Sequence, residues 1–142
     1  MTLNEYFKKN ARFKNKIIVI SVKDEASRYI SNFTAASDLG LCMKIKFRAS
    51  YVAVIDIKRD FLYERSSNSK IECSYKVGSK YIDIVSAGFN SGNFSSVKVG
   101  EREYSANATG LNVVIFKSKS LKPVDRFVCD SFFDSALTVK RL

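Results

Sequence analysis

Two hydrophobic rhythms run along this chain, and the change from one to the other organises it. Thr2-Leu3-Asn4-Glu5 has the capping-box spacing, and Leu3, Tyr6 and Phe7 then share one helical face, so a short helix is expected to open the domain. Ile17-Ile18-Val19-Ile20-Ser21-Val22 is a β-branched run too short for a helix and reads as a buried strand that stops at Lys23-Asp24-Glu25. From Ala26, the residues Tyr29, Ile30, Phe33, Ala36 and Leu39 form a stripe that predicts a second helix, with Gly40 at its C-terminal stop.

Beyond Gly40 the period falls to two. Met43, Ile45 and Phe47 alternate with Lys44, Lys46 and Arg48, and Tyr51, Ala53, Ile55 and Ile57 alternate through a second run, so both are predicted strands. Ser66-Ser67-Asn68-Ser69 marks a loop. Further strands are expected over Ile71 to Val77, Lys80 to Ala87, Ser95 to Val99, Leu111 to Phe116 and Pro123 to Cys129. The single proline, Pro123, begins a strand, where its missing donor does least harm. The pattern predicts an α+β domain spanning residues 1–142, with β-rich, sandwich-like twisted sheets and two helices in its N-terminal third.

Composition narrows the chemistry. At 142 residues and 46% apolar content the chain suits one domain with a real core. No uninterrupted apolar stretch, Ile17 to Ile20 included, comes near the roughly 20 residues a membrane-spanning helix needs. The N-terminal segment carries an acid, Glu5, where a secretory signal carries basic residues, and it lacks an apolar core; with unpaired cysteines, this favours the cytoplasm. Cys42, Cys73 and Cys129 are too far apart for a metal knuckle and are expected as small buried thiols. No histidine occurs, which excludes a Ser-His or Cys-His pair and any histidine-ligated zinc. A catalyst would need a carboxylate pair, and the adjacent Asp24 and Glu25 would point to opposite sides of a strand end, so no enzymatic activity, metal or cofactor is expected. The net charge of +10 raises a nucleic-acid reading, but lysines and arginines recur along the whole chain and the densest cluster, Lys8-Lys9 with Arg12, Lys14 and Lys16, is short. A solvated basic surface is the simpler reading, and nucleic acid is not the expected partner.

Three segments carry a resemblance. Ile17 through Ser27 resembles an apolar strand ending in V-K-D-E-[AG]-S, Lys46-Phe47-Arg48-Ala49-Ser50-Tyr51-Val52-Ala53 resembles a G-[FW]-R-D-[ST]-[YW]-A strand, and Ser86-Ala87-Gly88-Phe89-Asn90 through Gly110-Leu111-Asn112-Val113-Val114, ending Asp125-Arg126-Phe127-Val128-Cys129-Asp130, resembles a segment with an R-G-[IL]-N-V strand. Together they resemble the interleukin-like EMT inducer (ILEI) domain family in circularly permuted order. The chain departs from the family pattern at Lys46, Ala49 and Thr109, which stand where that pattern has glycine, an acid and arginine.

The resemblance implies an ILEI-type fold and a non-catalytic carbohydrate-binding accessory domain, working with a glycosyltransferase or a surface-polysaccharide system. It does so because one relative, the stem domain of the protein O-linked-mannose N-acetylglucosaminyltransferase, binds carbohydrate through the motif positions matched by Asp24 and Arg48. A carboxylate accepts hydrogen bonds from sugar hydroxyls, a guanidinium donates several in a fixed fork, and an aromatic ring covers the sugar's apolar face. Tyr51 and Phe89 are the aromatic candidates. Each residue also has a structural alternative: an N-cap for Asp24, an ion pair for Arg48, core packing for Tyr51 and Phe89. The family's secreted members imply a second possibility, a protein-interaction or signalling module with a protein partner.

Overall fold

The computed structural model describes residues 1–8 and 10–141. Helix α1 (Leu3–Phe7) opens the chain, and its capping box forms: Thr2 N–H donates to Glu5 Oε1 at 3.0 Å and Glu5 N–H to Thr2 Oγ1 at 3.2 Å. Strands β1 (Lys16–Asp24), β2 (Ser50–Asp56), β3 (Phe61–Ser67), β4 (Ile71–Val77), β5 (Lys80–Gly88), β6 (Phe94–Val99), β7 (Arg102–Glu103), β8 (Gly110–Lys117) and β9 (Pro123–Cys129) follow. The architecture is β-rich, a mixed and open sheet with few, short helical segments.

β1 is its spine. It pairs antiparallel with β8 along Lys16–Lys23 and with β2 along Ile17–Ser21, and its tip, Lys23 and Asp24, pairs in parallel with Ala87 and Gly88 of β5. β3 extends the sheet beyond β2 and β9 beyond β8, while β4, β6 and β7 gather around β5. One face of β1, β2 and β8 packs Ile17, Val19, Val52, Val54, Val114 and Phe116 against Ile71, Ile82, Ile84 and Val97 of the β5 group. The other face packs Ile18, Ile20, Tyr51, Ala53, Val113 and Ile115 against Leu3, Tyr6, Phe7, Phe33 and Leu39. Burial on both faces is why β1 reads as an unbroken apolar run rather than an alternating one.

β2 and β5 diverge at the tip of β1, and buried hydroxyls bridge the gap. Ser86 Oγ donates to Val22 O at 2.6 Å and accepts from Tyr51 N–H at 2.9 Å, so one hydroxyl joins β5, β1 and β2. Ser50 Oγ accepts from Gly88 N–H at 2.9 Å, and Ser21 Oγ donates to Val85 O at 2.7 Å while accepting from Ser95 Oγ at 2.9 Å. Ladder hydrogen bonds lost to the splay are thereby replaced.

Two predicted elements take other forms. Residues 26–39 are not an α-helix but hold two 3-10 segments, Ile30–Asn32 and Thr34–Leu39, so among the described residues one α-helix, α1, stands in the N-terminal third. The stripe Ile30, Phe33, Ala36, Leu39 has a spacing of three, the 3-10 period rather than 3.6, and all four are buried. Gly40 does end the segment, at φ 81°. Residues 43–48 are not a strand. Met43 and Ile45 are buried and Lys44 and Lys46 exposed, as the alternation requires, but Met43 at φ 52° and Arg48 at φ 58° break the extended backbone, and the Glu64 carboxylate takes Cys42 N–H and Met43 N–H, each at 2.9 Å. β3 escaped the sequence pattern because no position along it is fully buried. Cys42 is exposed, contrary to the expected buried thiol; Cys129 is buried, and burial, reinforced by Asp134 and Asp130, pushes its thiol up to about 12.

The chain ends meet on β9. Asp125 accepts from Tyr6 Oη at 2.8 Å and from Arg141 Nη2 at 2.8 Å and Nε at 3.1 Å. Burial alone would raise the Asp125 carboxyl, but the Arg141 and Tyr6 hydrogen bonds and the Arg141 charge outweigh it and hold it below the usual carboxylate value. Because the folded value is depressed, this latch contributes stability fully above the unfolded value near 4 and loses it as pH falls through the folded value. Asp125→Asn should therefore unfold more easily at neutral pH, with a shallower loss of stability below about pH 4 than wild type, read from denaturant midpoints across pH.

Ser86→Ala should cost about 1–3 kcal/mol in urea unfolding, because it leaves Tyr51 N–H without its acceptor in the core. Ser66→Ala, on exposed β3, should stay within about 0.5 kcal/mol of wild type.

Candidate functional site

The tip of β1 is flanked by glycine on both sides. Lys23 pairs with Gly110 of β8 and Asp24 with Gly88 of β5. A Cβ on Gly88 would lie 2.1 Å from the carbonyl oxygen of Arg48, and one on Gly110 would lie 2.5 Å from that of Cys129. Gly110 also sits at φ 98°. The missing side chains let the backbone of the 43–48 loop close onto β5, so Asp24 and Arg48, distant in sequence, meet around Gly88.

Arg48 is held in place by its neighbour in the other motif. The Glu25 carboxylate is buried at 4% exposure and accepts Arg48 N–H at 2.5 Å and Ser27 N–H at 2.6 Å. The sequence pointed to Glu25 only as the partner of Asp24. The structure gives it to the backbone instead, as the group that fixes the left-handed turn at Arg48.

Above that turn the Arg48 guanidinium carbon lies 4.3 Å from the centroid of Phe89 and 4.9 Å from that of Phe47. Phe89 is 47% and Phe47 61% exposed. Phe47 continues to Phe132 at 6.3 Å and Phe132 to Phe133 at 4.7 Å, and Phe133 is 73% exposed. Ser131 ties this aromatic segment down, its hydroxyl donating to Ala26 O and its carbonyl accepting Tyr29 N–H, both at 2.7 Å.

Asp24 is half-buried, at φ 66°, and does not cap a helix. Its Oδ2 accepts from Thr109 Oγ1 at 3.2 Å. Tyr51 is placed elsewhere: it is 1% exposed, and its hydroxyl donates to Glu64 Oε2 at 2.6 Å, beside Met43 Sδ at 3.0 Å. Burial first, then the Glu64 carboxylate, push its phenol far up. Its ring is core and cannot cover a ligand at this surface.

Of the four predicted site residues, the structure thus brings Arg48 and Phe89 into contact, pairs the Asp24 backbone with the neighbouring Gly88, and removes Tyr51. It adds Phe47 and Thr109, each next to a predicted residue in sequence or in space. Thr109 stood out in the sequence only as the departure from an expected arginine, and the hydrogen bond to Asp24 shows what occupies that position. Among the described residues, no cluster of three or more cysteine and acidic side chains is arranged to hold a metal ion, and no helix is long and apolar enough to cross a membrane.

Comparison with known proteins finds no matching family, no similar curated protein and no similar solved structure.

Gly88→Ala should be among the most damaging small substitutions in the chain. The added methyl meets backbone, not a movable side chain, so a loss of about 2–3 kcal/mol or more is expected, with altered amide shifts at Arg48 and Ala49 in NMR spectra.

Proposed function

We propose that the tip of β1 is a non-catalytic carbohydrate-recognition site. The observation that carries this reading is the Arg48 guanidinium lying over two exposed phenylalanine rings, with the Asp24 backbone paired to Gly88, the residue before Phe89. Stacking fixes the guanidinium plane while leaving its edge donors for hydroxyl groups. Asp24 supplies the complementary acceptor, and Phe89 and Phe47 offer flat apolar surface for the C–H face of a pyranose ring. The resemblance of the Val22–Ser27 and Lys46–Ala53 segments to the ILEI family motifs supports the same two polar residues, and with them an accessory role beside a glycosyltransferase or a polysaccharide system.

A second reading has its own support. The aromatic surface runs past Arg48 to Phe132 and Phe133, and exposed aromatics with an arginine among them are the composition of protein-interaction hot spots.

The two readings part on one experiment, a broad glycan array at physiological salt with wild type, Arg48→Ala and Phe133→Ala. Carbohydrate recognition predicts selective binding that Arg48→Ala weakens by about tenfold or more, equivalent to roughly 1.4 kcal/mol, while Phe133→Ala retains most of it. Silence of wild type across diverse glycans would overturn the reading and leave the protein-interaction alternative.

A further inference from the structure

The opposite end of β1 is as cationic as its tip is aromatic. Lys16 begins the strand and Asp24 ends it, so at roughly 3.3 Å per residue the two ends stand on the order of 25 Å apart. Lys16 pairs directly across the ladder with Lys117 of β8. Like charges in directly opposed positions are destabilising. Lys58, just beyond β2, and Lys119, in the turn after β8, join them around a hollow of about 340 Å³ whose other lining residues are Asn15, Ser118 and Ser120, with no acid.

Ser120 is also part of the wall of a second hollow, of about 670 Å³, to which Lys80 and Lys122 contribute. Six lysines therefore surround one turn. The one acid of the larger hollow, Glu103, is already engaged: its carboxylate accepts Ser96 Oγ, Val97 N–H at 2.7 Å and Ser105 N–H at 3.0 Å. The ion pairs among the described residues, Arg59–Asp56, Lys70–Glu72 and Arg141–Asp125, take none of these lysines.

The turn that presents them is built, not loose. Leu121, at 2% exposure, is plugged into the core between the sheets, its N–H donates to Lys117 O at 3.0 Å, and Lys117 N–H donates to Lys122 O at 2.9 Å. Ser118 N–H fastens the turn to Asn15 O at 3.0 Å, and Lys80 Nζ donates to Ser120 O at 3.1 Å. A rigid, concave, uncompensated set of ammonium groups meets repulsion in the isolated protein that a dense counter-charge removes.

We infer that this pole binds a ligand carrying several closely spaced phosphate groups. Each phosphate monoester brings a charge of about −1.5 to −2 near neutral pH, so a few such groups balance six lysines within this space, whereas single carboxylates would not. No aromatic ring lines the smaller hollow, so recognition there works through charge rather than through stacking on a sugar or base. The phosphates can come from a soluble oligophosphate or from a polyphosphorylated inositol lipid headgroup.

The test titrates inorganic tripolyphosphate into wild type, a Lys16→Gln/Lys117→Gln variant and a Lys44→Gln/Lys46→Gln control with the same loss of net charge, at physiological salt. Tripolyphosphate should bind wild type and the control alike and bind the Lys16/Lys117 variant about tenfold more weakly. Urea unfolding should show that variant to be at least as stable as wild type, since it relieves a like-charge pair, which separates lost binding from lost folding. Co-sedimentation with phosphatidylcholine vesicles, with and without phosphatidylinositol bisphosphate, separates the sources: binding to the lipid as well as tripolyphosphate identifies a headgroup, and tripolyphosphate alone a soluble ligand. Equal weakening in both variants, or no tripolyphosphate binding even if nucleic acid is retained, overturns the inference.

Discussion

The candidate site at the β1 tip depends on how β1 parts from one neighbour and meets another. A strand that pairs with β2 over its first half and with β5 at its tip must pass a gap where neither neighbour can complete the ladder. Unfilled, that gap would leave several backbone groups without partners in a dry core, at a cost of about 1–3 kcal/mol each. Ser21, Ser50 and Ser86, all fully buried, fill it: the Ser21 and Ser86 hydroxyls both donate and accept, and the Ser50 hydroxyl accepts from Gly88 N–H. Serine suits this place because a hydroxyl turns to whichever strand offers a partner, which a fixed amide or an apolar side chain cannot do.

The fork also positions the surface site. It brings Gly88 beside Asp24, and the absence of a side chain at Gly88 lets the Arg48 carbonyl approach. The chain of dependence runs from serine hydroxyls, to the β1–β5 contact, to the closure of the 43–48 loop, to the plane of one guanidinium. A substitution deep in the fork should thus be felt at the surface through backbone geometry rather than through any change in surface chemistry.

Sequence pattern captured the parts of this architecture whose causes are local. β1, β4, β5 and β8 were legible because their burial or alternation is strong over six or more positions, and the capping box of α1 was legible because it needs only Thr2 and Glu5. What escaped depends on distant partners. The 30–39 stripe has a spacing of three, which pattern reading folded into the commoner helix. The 43–48 alternation predicted the burial of Met43 and Ile45 but not the exposure of Phe47, and in place of a strand partner Glu64 takes the Cys42 and Met43 amides. The site shows the same division: Asp24, Arg48 and Phe89 were found through motifs, whereas the burial of Tyr51 follows from the buried face of β2, and the Arg48-fixing role of Glu25 from a contact across 23 positions.

Backbone strain is present at the β1 tip, as it is at Met43, Asp60, Leu121 and Leu137 elsewhere among the described residues. Asp24 and Arg48 are both non-glycine residues in the left-handed region, at φ 66° and 58°, a conformation that costs an ordinary residue about 1–2 kcal/mol. Aspartate tolerates this region better than most residues, so the larger cost falls on Arg48. The cost is sustained because the surroundings over-determine it: Glu25 binds the Arg48 amide, the β1–β5 bridge sets Asp24, and the glycine gap admits the turn. In the proposed carbohydrate reading, these two positions carry an acid and a guanidinium, the groups that a hydroxyl-rich ligand would engage.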